Sequence, residues 1–260
     1  MNVYFMVDAE GISGIYHREQ VLFTGSKHNE CRMLMTQDIN TCVEAAKEAG
    51  AGKIYVRDCH GSGSSIIWEK LSSKADYYIA GNGLGNRMPG LEECDGLILL
   101  GYHAMAGTPG GILEHTMSSE SVQNYWINGN RAGEIAVDAA IAGDFGKPVI
   151  MVSGDDKACG EAKALLPWIV TAEVKKGLAC YYTMLLPQEK AQALLREKVK
   201  EAIKNFPNTK PYVVEKPVKL RIERCERSQL PYSNKPYLKV IDGRTYEVEG
   251  ASMEEALFRS

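Results

Sequence analysis

Short apolar runs that alternate with helical patterns limit the possible folds of this chain more than any other feature. The runs at Val3–Val7, 96–101 and 148–153 are almost continuously apolar, which is typical of strands buried on both faces. Apolar residues at helical spacing lie between them, for example at 29–49. Buried strands that alternate with helices predict a mostly parallel sheet in a three-layer α/β/α fold.

The last third of the chain differs in character from the rest. Five of the ten prolines lie between Pro207 and Pro236, after an amphipathic helix predicted at 188–204. Short strands separated by turns are expected beyond this helix. These features predict an α/β domain over residues 1–170 and a smaller α+β portion over residues 171–260.

Composition and charge exclude several classes of protein. The chain has 30 basic and 33 acidic residues, and its net charge of -3 offers no electrostatic case for nucleic-acid binding. No apolar stretch approaches the roughly 20 residues that a membrane span needs, and no secretory signal is recognisable before the first strand. The seven cysteines are scattered without a CxxC pair, which indicates reduced thiols in a cytoplasmic protein.

Acidic and imidazole side chains follow three of the predicted strands directly. Asp8 and Glu10 come after the first strand, and their i, i+2 spacing on an extended backbone turns both toward one space. His60 and His103 follow two further strands. Because ligands of parallel sheets bind beyond the carboxyl ends of the strands, these side chains are expected to converge. Carboxylates with imidazoles suit Zn²⁺ or another divalent transition ion.

Other polar residues can be interpreted in two ways from the sequence alone. Glu134 begins a predicted helix, where an acid is equally well explained by the helix dipole. His115 lies in a glycine-rich loop, either as a surface histidine or as a general acid/base beside the metals. Asp58 is a candidate to orient His60, and Asp155 also ends a strand on the same edge.

A run of motifs then matches a known family in order. The chain opens with Val7-Asp8-Ala9-Glu10-Gly11-Ile12-Ser13-Gly14, and the further matching segments are Asp58-Cys59-His60, Leu100-Gly101-Tyr102-His103-Ala104, Thr108-Pro109-Gly110, His115, Ile127-Asn128-Gly129, Gly133-Glu134 and Val152-Ser153-Gly154-Asp155-Asp156. These segments resemble the DppA-type D-aminopeptidases, peptidase family M55, whose opening reads VDxEGISG. The resemblance covers roughly residues 3–170 and is looser in the C-terminal third.

The resemblance implies a cytoplasmic zinc aminopeptidase with two Zn²⁺ ions per subunit and a ring-like, decamer-like homo-oligomer. Its substrates would be short peptides, particularly those with an N-terminal D-amino acid such as D-Ala. Asp8 would be the carboxylate that bridges the ions, and His115 would match the catalytic histidine of the family. The remaining metal ligands would be Glu10, His60, His103 and Glu134. Residues 1–170 would form the metal-binding catalytic domain, and residues 171–260 would contribute to oligomerisation.

The mechanistic hypothesis is that water activated by the metals attacks the peptide carbonyl. His115 is then expected to act as an acid/base or oxyanion-stabilising group rather than as the nucleophile. Two alternatives stay open at this point. The same ligands suit another metal-dependent hydrolase, such as an amidohydrolase or a phosphoesterase. A non-enzymatic peptide-binding accessory protein is the second alternative, although structural zinc sites are usually closed and four-coordinate.

Overall fold

Two β-sheets organise the chain, which a computed structural model describes over residues 1–83, 85–231 and 234–260. Its strands are β1 (Val3–Val7), β2 (Ile54–Asp58), β3 (Tyr77–Ile79), β4 (Gly96–Tyr102), β5 (Val122–Ile127), β6 (Asn130–Ala132), β7 (Val149–Asp155), β8 (Val170–Ala179), β9 (Tyr182–Leu185), β10 (Val218–Arg224), β11 (Leu238–Val240) and β12 (Thr245–Gly250). The larger sheet has the order β3-β2-β1-β4-β7-β8-β9, and the smaller has the order β11-β12-β10-β5-β6.

Helices cover the larger sheet on both faces. They are α1 (Arg18–Val21), α2 (His28–Glu48), α3 (Glu134–Asp144), α4 (Asp156–Leu165), α5 (Gln188–Asn205) and α6 (Met253–Arg259). In β1, Val3, Phe5 and Val7 pack with the core residues of α2 and α5. Tyr4 and Met6 pack on the other face with α3, α4 and the smaller sheet. The predicted α/β class is therefore confirmed. Among the described helices, none combines the length and hydrophobicity that crossing a bilayer requires.

Strand β1 lies inside the larger sheet, between β2 and β4, and is parallel to both of these neighbours. Val7 is in register with Asp58 of β2 and with Leu100 of β4. The three strands therefore end close to one another at the same edge of the sheet. Because every residue of β1, β2 and β4 is buried, this edge is supported by a continuous apolar core.

The expected domain division at residue 170 does not coincide with the division between the sheets. Strands β8 and β9 lie after residue 170 but extend the larger sheet, in which β8 runs parallel to β7. Strands β5 and β6 lie before it but belong to the smaller sheet, where Ile127 of β5 pairs with Leu220 of β10. Proline is common in loops, so the change in proline content along the chain reflects a change in loop content. It carries no information about which distant strands pair.

Candidate metal centre and active-site cleft

The ends of β1, β2 and β4 bring three segments of backbone together. The amide of Cys59 donates to the carbonyl of Val7 at 2.9 Å, and the amide of Asp8 donates to the carbonyl of Leu100 at 2.9 Å. Gly11 approaches the turn after β4 so closely that a Cβ atom there would lie 2.0 Å from the carbonyl oxygen of Tyr102. Glycine is therefore required at this position because a side chain would push the two loops apart.

Six acidic and imidazole side chains meet at this edge of the sheet. His103 Nε2 lies 3.4 Å from Asp8 Oδ2 and 3.2 Å from Glu134 Oε1. His60 Nε2 lies 3.5 Å from Glu10 Oε1. His115 Nε2 lies 3.7 Å from Glu134 Oε1. The ligand atoms of two overlapping groups lie within 4.8 Å of one another, and these groups are Asp8, Glu10 and His103, and His103, His115 and Glu134.

Hydrogen bonds at Nδ1 orient the imidazoles toward the centre. The Nδ1 atom of His103 lies 3.0 Å from the carbonyl of Ala104, and that of His115 lies 2.9 Å from the carbonyl of Leu113. Since a carbonyl only accepts, Nδ1 carries the proton in both rings. In the neutral rings, Nε2 then presents its lone pair to the centre, as metal-binding histidines commonly do.

Asp58 orders the loop that carries His60, through backbone contacts. Its carboxylate accepts hydrogen bonds from the amides of Ser65 at 2.6 Å and of His60 at 3.2 Å. The imidazole of His60 instead lies 3.4 Å from the hydroxyl of Ser65. Asp155, the other acid at a strand end, caps α4 and accepts from the amides of Ala158 and Ile112, so its hydrogen bonds serve the backbone.

Buried polar atoms without a partner identify the centre as a cation site. Asp8 Oδ2, Glu10 Oε2 and His103 Nε2 are buried and lack a hydrogen-bond partner among the described residues. Leaving such atoms unpaired is costly, and native proteins rarely do so without a functional reason. All three are lone-pair donors of the kinds that coordinate Zn²⁺. The donor set therefore fits a metal ion.

The pKa shifts of the residues in the centre also indicate that it favours the binding of positive charge. Burial raises the pKa of Asp8 well above its usual range, and the neighbouring carboxylates of Glu10 and Glu134 raise it further. Burial acts the same way on Glu134, but the charge and hydrogen bond of His103, together with the charges of His115 and Arg87, outweigh it and lower the pKa of Glu134 to about 2. Burial would lower the pKa of His60, yet the charge and hydrogen bond of Glu10, together with the charges of Asp8 and Asp58, raise it to about 9. Three crowded carboxylates thus require cations, either protons on imidazoles or divalent metals.

His115 differs from the other two histidines in its environment. Its ring stacks on that of His103, with centroids 4.0 Å apart and an interplanar angle of 11°. Burial lowers its pKa, and the positive charge of His103 lowers it further. His115 is therefore neutral near pH 7 and offers a lone pair at Nε2. Its position permits either proton transfer or metal coordination, since Nε2 also lies close to Glu134.

A cleft of about 580 Å³ opens above the centre. Its floor includes Asp8, Glu10, His60, His115 and Glu134. Its walls include the charged residues Arg18, Arg87, Glu114 and Glu120 and the aromatic residues Phe23 and Tyr181. The centre is consequently accessible to a small molecule, which distinguishes it from a closed structural metal site.

Two polar networks beside the centre were not predicted from the sequence. In the first, Asp138 lies one helical turn after Glu134 on α3 and accepts hydrogen bonds from Tyr102 and Arg87. The i, i+4 spacing from Glu134 was a detectable signal for Asp138. In the second, buried Lys175 of β8 binds the loop that follows Glu10. Neither Arg87 nor Lys175 lies in a recognisable motif.

Lys175 holds the backbone of the second half of the opening motif in place. Its ammonium donates to the carbonyls of Glu10, Ile12 and Ile15 at 2.6, 2.8 and 2.6 Å. From the other side, the carboxylate of Asp38 accepts from the amide and the hydroxyl of Ser13 at 2.9 and 2.7 Å. The segment after Glu10 is thus held by a buried cation and a buried carboxylate.

Comparisons with known proteins agree with the geometry of this site. The family model for D-aminopeptidases, Peptidase M55, matches residues 1–259. A D-aminopeptidase of Bacillus subtilis (strain 168) is 34% identical over 236 residues, which cover 90% of this chain and 85% of that protein. A solved structure described as the Zn-dependent D-aminopeptidase DppA from Bacillus subtilis, a self-compartmentalizing protease, has 33% sequence identity and a TM-score of 0.93. The match covers 100% of this chain and 94% of that one. The chain therefore belongs to the D-aminopeptidase family, Peptidase M55.

Proposed function

We propose that this metallo-aminopeptidase uses two zinc ions to hydrolyse short peptides with an N-terminal D-amino acid such as D-alanine. The observation that carries the proposal is the set of buried, unpartnered lone-pair donors at Asp8, Glu10 and His103, as seen in the described part of the chain. Family membership supports the reaction class, and the zinc-dependent relative supports the metal. The open cleft above the centre supports a catalytic rather than a structural role.

The ligands divide into two pairs with Asp8 between them. Glu10 lies beside His60, and His103 lies beside Glu134. Asp8 belongs to the same group of ligand atoms as Glu10 and also lies next to His103. This arrangement supports a site in which Asp8, Glu10 and His60 would hold one ion, and Asp8, His103 and Glu134 would hold the other.

The residues around the ions have separate tasks in peptide hydrolysis. When bound, zinc acts as a Lewis acid that polarises a carbonyl and lowers the pKa of water from about 15.7 toward about 7. His115, neutral and with a lone pair at Nε2, would accept a proton and then return it to the leaving amine. The α-amino group of the substrate would bind near one of the ions or a carboxylate of the cleft.

We also propose that the protein forms a ring-like, decamer-like homo-oligomer in the cytoplasm, to which residues 171–260 contribute. The relative of known structure is described as self-compartmentalizing. Exposed apolar side chains on and beside the edge strand β9, including Tyr181, Tyr182 and Met184, support an interface there. Light scattering after size exclusion tests this proposal, because a monomer at micromolar concentration would contradict it.

Metal analysis combined with an assay of D- and L-alanyl dipeptides tests the catalytic proposal. The expected result is about two zinc ions per chain and faster release of D-alanine than of L-alanine. A chelator should abolish the activity, and added zinc should restore it. Hydrolysis of a simple phosphate ester without hydrolysis of the peptides would instead support a phosphoesterase, and bound peptide without turnover would support a binding protein.

A further inference from the structure

The loop between β3 and β4 brings an arginine to the wall of the cleft. Arg87 borders the cleft together with Cys59 and Glu134, and its side chain is 16% exposed. The backbone amide of Arg87 donates to Glu254 Oε1 of α6 at 2.6 Å, which holds this part of the loop against the rest of the fold. The position of Arg87 is therefore defined by contacts on both its backbone and its side chain.

One flank of the Arg87 guanidinium is fully used by protein. Its Nε and Nη2 atoms donate to the two carboxylate oxygens of Asp138, the second at 2.9 Å. Asp138 is completely buried and also accepts from the hydroxyl of Tyr102 at 2.6 Å. Tyr102 directly precedes His103, so this network supports the metal centre from beneath. The side-on pairing restrains the arginine before any ligand arrives.

The other flank of the guanidinium is directed away from Asp138. A guanidinium has five N–H donors in one plane, and the bonds to Asp138 leave the donors of Nη1 without a partner among the residues that the structure describes. Asp138 does not border the cleft, whereas Arg87 does. The unused donors of Arg87 therefore lie on the side that a molecule in the cleft would approach.

The charges that line the cleft indicate which ligand the unused N–H donors of Arg87 would bind. Arg18 and Arg87 are the arginines of the described cleft lining, which contains no lysine. Arg18 lies toward solvent, with its side chain 46% exposed, and it pairs with Glu120 at 2.6 Å. Of the two arginines, Arg87 lies nearer the metal ligands, and its charge helps to lower the pKa of Glu134. A planar fork of donors is the arrangement that proteins use to bind carboxylates.

We propose that Arg87 binds a carboxylate group of the peptide substrate and makes the enzyme selective for short peptides that carry one near the scissile bond. The inference rests on the proposed peptidase function and adds the substrate class to it. The carboxylate belongs either to the C-terminus of a dipeptide or to an acidic side chain. Both sources present the same chemistry to the guanidinium.

Matched acid and amide substrates test this inference in the zinc-loaded protein. The pair D-Ala-D-Ala and D-Ala-D-Ala amide isolates the terminal carboxylate, and the pair D-Ala-D-Glu amide and D-Ala-D-Gln amide isolates the side chain. For at least one pair, the wild-type protein should prefer the acid. In Arg87→Gln the ratio of the two kcat/KM values should fall roughly 10- to 100-fold, the loss expected for a charge-assisted hydrogen bond.

Removal of Arg87 alone would leave Asp138 buried without its cation, so a second variant is needed. Arg87→Gln with Asp138→Asn removes both charges, and it should show the same loss of preference with a near-normal melting temperature. Arg18→Gln is the matched control, because it removes the other arginine of the cleft and should keep the wild-type ratio.

Three results would overturn the inference. Equal rates for acid and amide in both pairs would remove the basis for a carboxylate site, while the peptidase function would stand. An unchanged ratio in both Arg87 variants would assign the preference to another residue. Failure of the zinc-loaded wild-type protein to hydrolyse any of these peptides would overturn the proposed function, and this inference with it.

Discussion

The ammonium of Lys175 donates a hydrogen bond of 2.6 Å to the carbonyl of Glu10, which joins β8 to the loop that follows β1. Both residues are buried, and they lie 165 positions apart in the chain. Two further carbonyls, those of Ile12 and Ile15, complete the set of acceptors around the ammonium. The backbone of a candidate metal ligand is thus held by a residue that does not itself face the metals.

Lys175→Met should weaken zinc binding because Glu10 would lose the support of its backbone. Loss of an indirect contact of this kind typically lowers metal affinity or activity roughly 10- to 100-fold. Competition with a chromogenic chelator would measure the affinity. Val174→Ala, a buried truncation at the next position of the same strand, is the control for general destabilisation. Equal zinc affinity in the two variants would show that Lys175 is only structural.

Gly11→Ala should damage the centre because the new methyl group would lie 2.0 Å from the carbonyl oxygen of Tyr102. We expect a loss of several kcal/mol of stability, or displacement of the loop together with the loss of zinc. Gly160→Ala is the matched control, since Gly160 lies within α4 and has open space at its Cβ position. That change should stabilise the protein by roughly 0.5–1 kcal/mol. Thermal unfolding and metal analysis would check both, and similar behaviour of the two variants would contradict the packing argument.

His115→Ala should lower turnover and leave the metal content intact if His115 transfers protons. The expected fall in kcat is roughly 10²- to 10⁴-fold, as for the loss of a general acid/base. Steady-state kinetics and metal analysis on the same sample would measure both quantities. Loss of zinc in this variant would identify His115 as a ligand, which its distance of 3.7 Å from Glu134 also permits.

Single ligand substitutions should change the metal content in different ways if Asp8 bridges two ions. Asp8→Ala should lose most of both zinc ions, whereas His60→Ala should retain about one, because His60 pairs with Glu10 alone in the described site. His17→Ala is a control for the loss of an imidazole, since His17 caps α1 and lies outside the ligand groups. Metal analysis after dialysis would distinguish these outcomes. Equal loss in the first two variants would contradict a bridging role.

Asp38 should make the free energy of unfolding depend on pH in the acidic range. Burial raises the pKa of this carboxyl from 3.8 to about 6, so the folded state binds its proton more tightly than the unfolded state does. The contribution of Asp38 to stability is therefore greatest below about pH 4 and is lost as the pH rises through about 6. Asp38→Asn should gain about 2 kcal/mol relative to the wild type between about pH 4 and pH 7. Denaturant unfolding at both pH values would measure this change, and a pH-independent difference would contradict it.

The elements of the larger sheet that have a strong hydrophobic pattern could be predicted from the sequence. Strands β1, β4 and β7 were each predicted within two residues of their observed bounds, because continuous apolar runs identify buried strands. The hairpin of β8 and β9 was not predicted. Its residues are partly exposed and follow no continuous apolar pattern.

Pairing between distant strands could not be predicted from the sequence. The smaller sheet joins β5 and β6 to β10, although roughly ninety residues separate them in the chain. Composition suggested a division near residue 170 instead. Local composition indicates where turns and loops occur. It does not indicate which strand edge a later segment will pair with.

The amino-acid sequence by itself determined the α/β class, the strand ends that carry acids and imidazoles, and membership of the family, because hydrophobic period and motif order are local properties. Only the tertiary structure decided that Arg87 borders the cleft and that Lys175 supports the backbone of Glu10. Both depend on hydrogen bonds between residues far apart in the chain, such as Arg87 with Asp138. Such contacts leave no periodic trace in a single sequence, since they exist only once separate strands and helices have packed together.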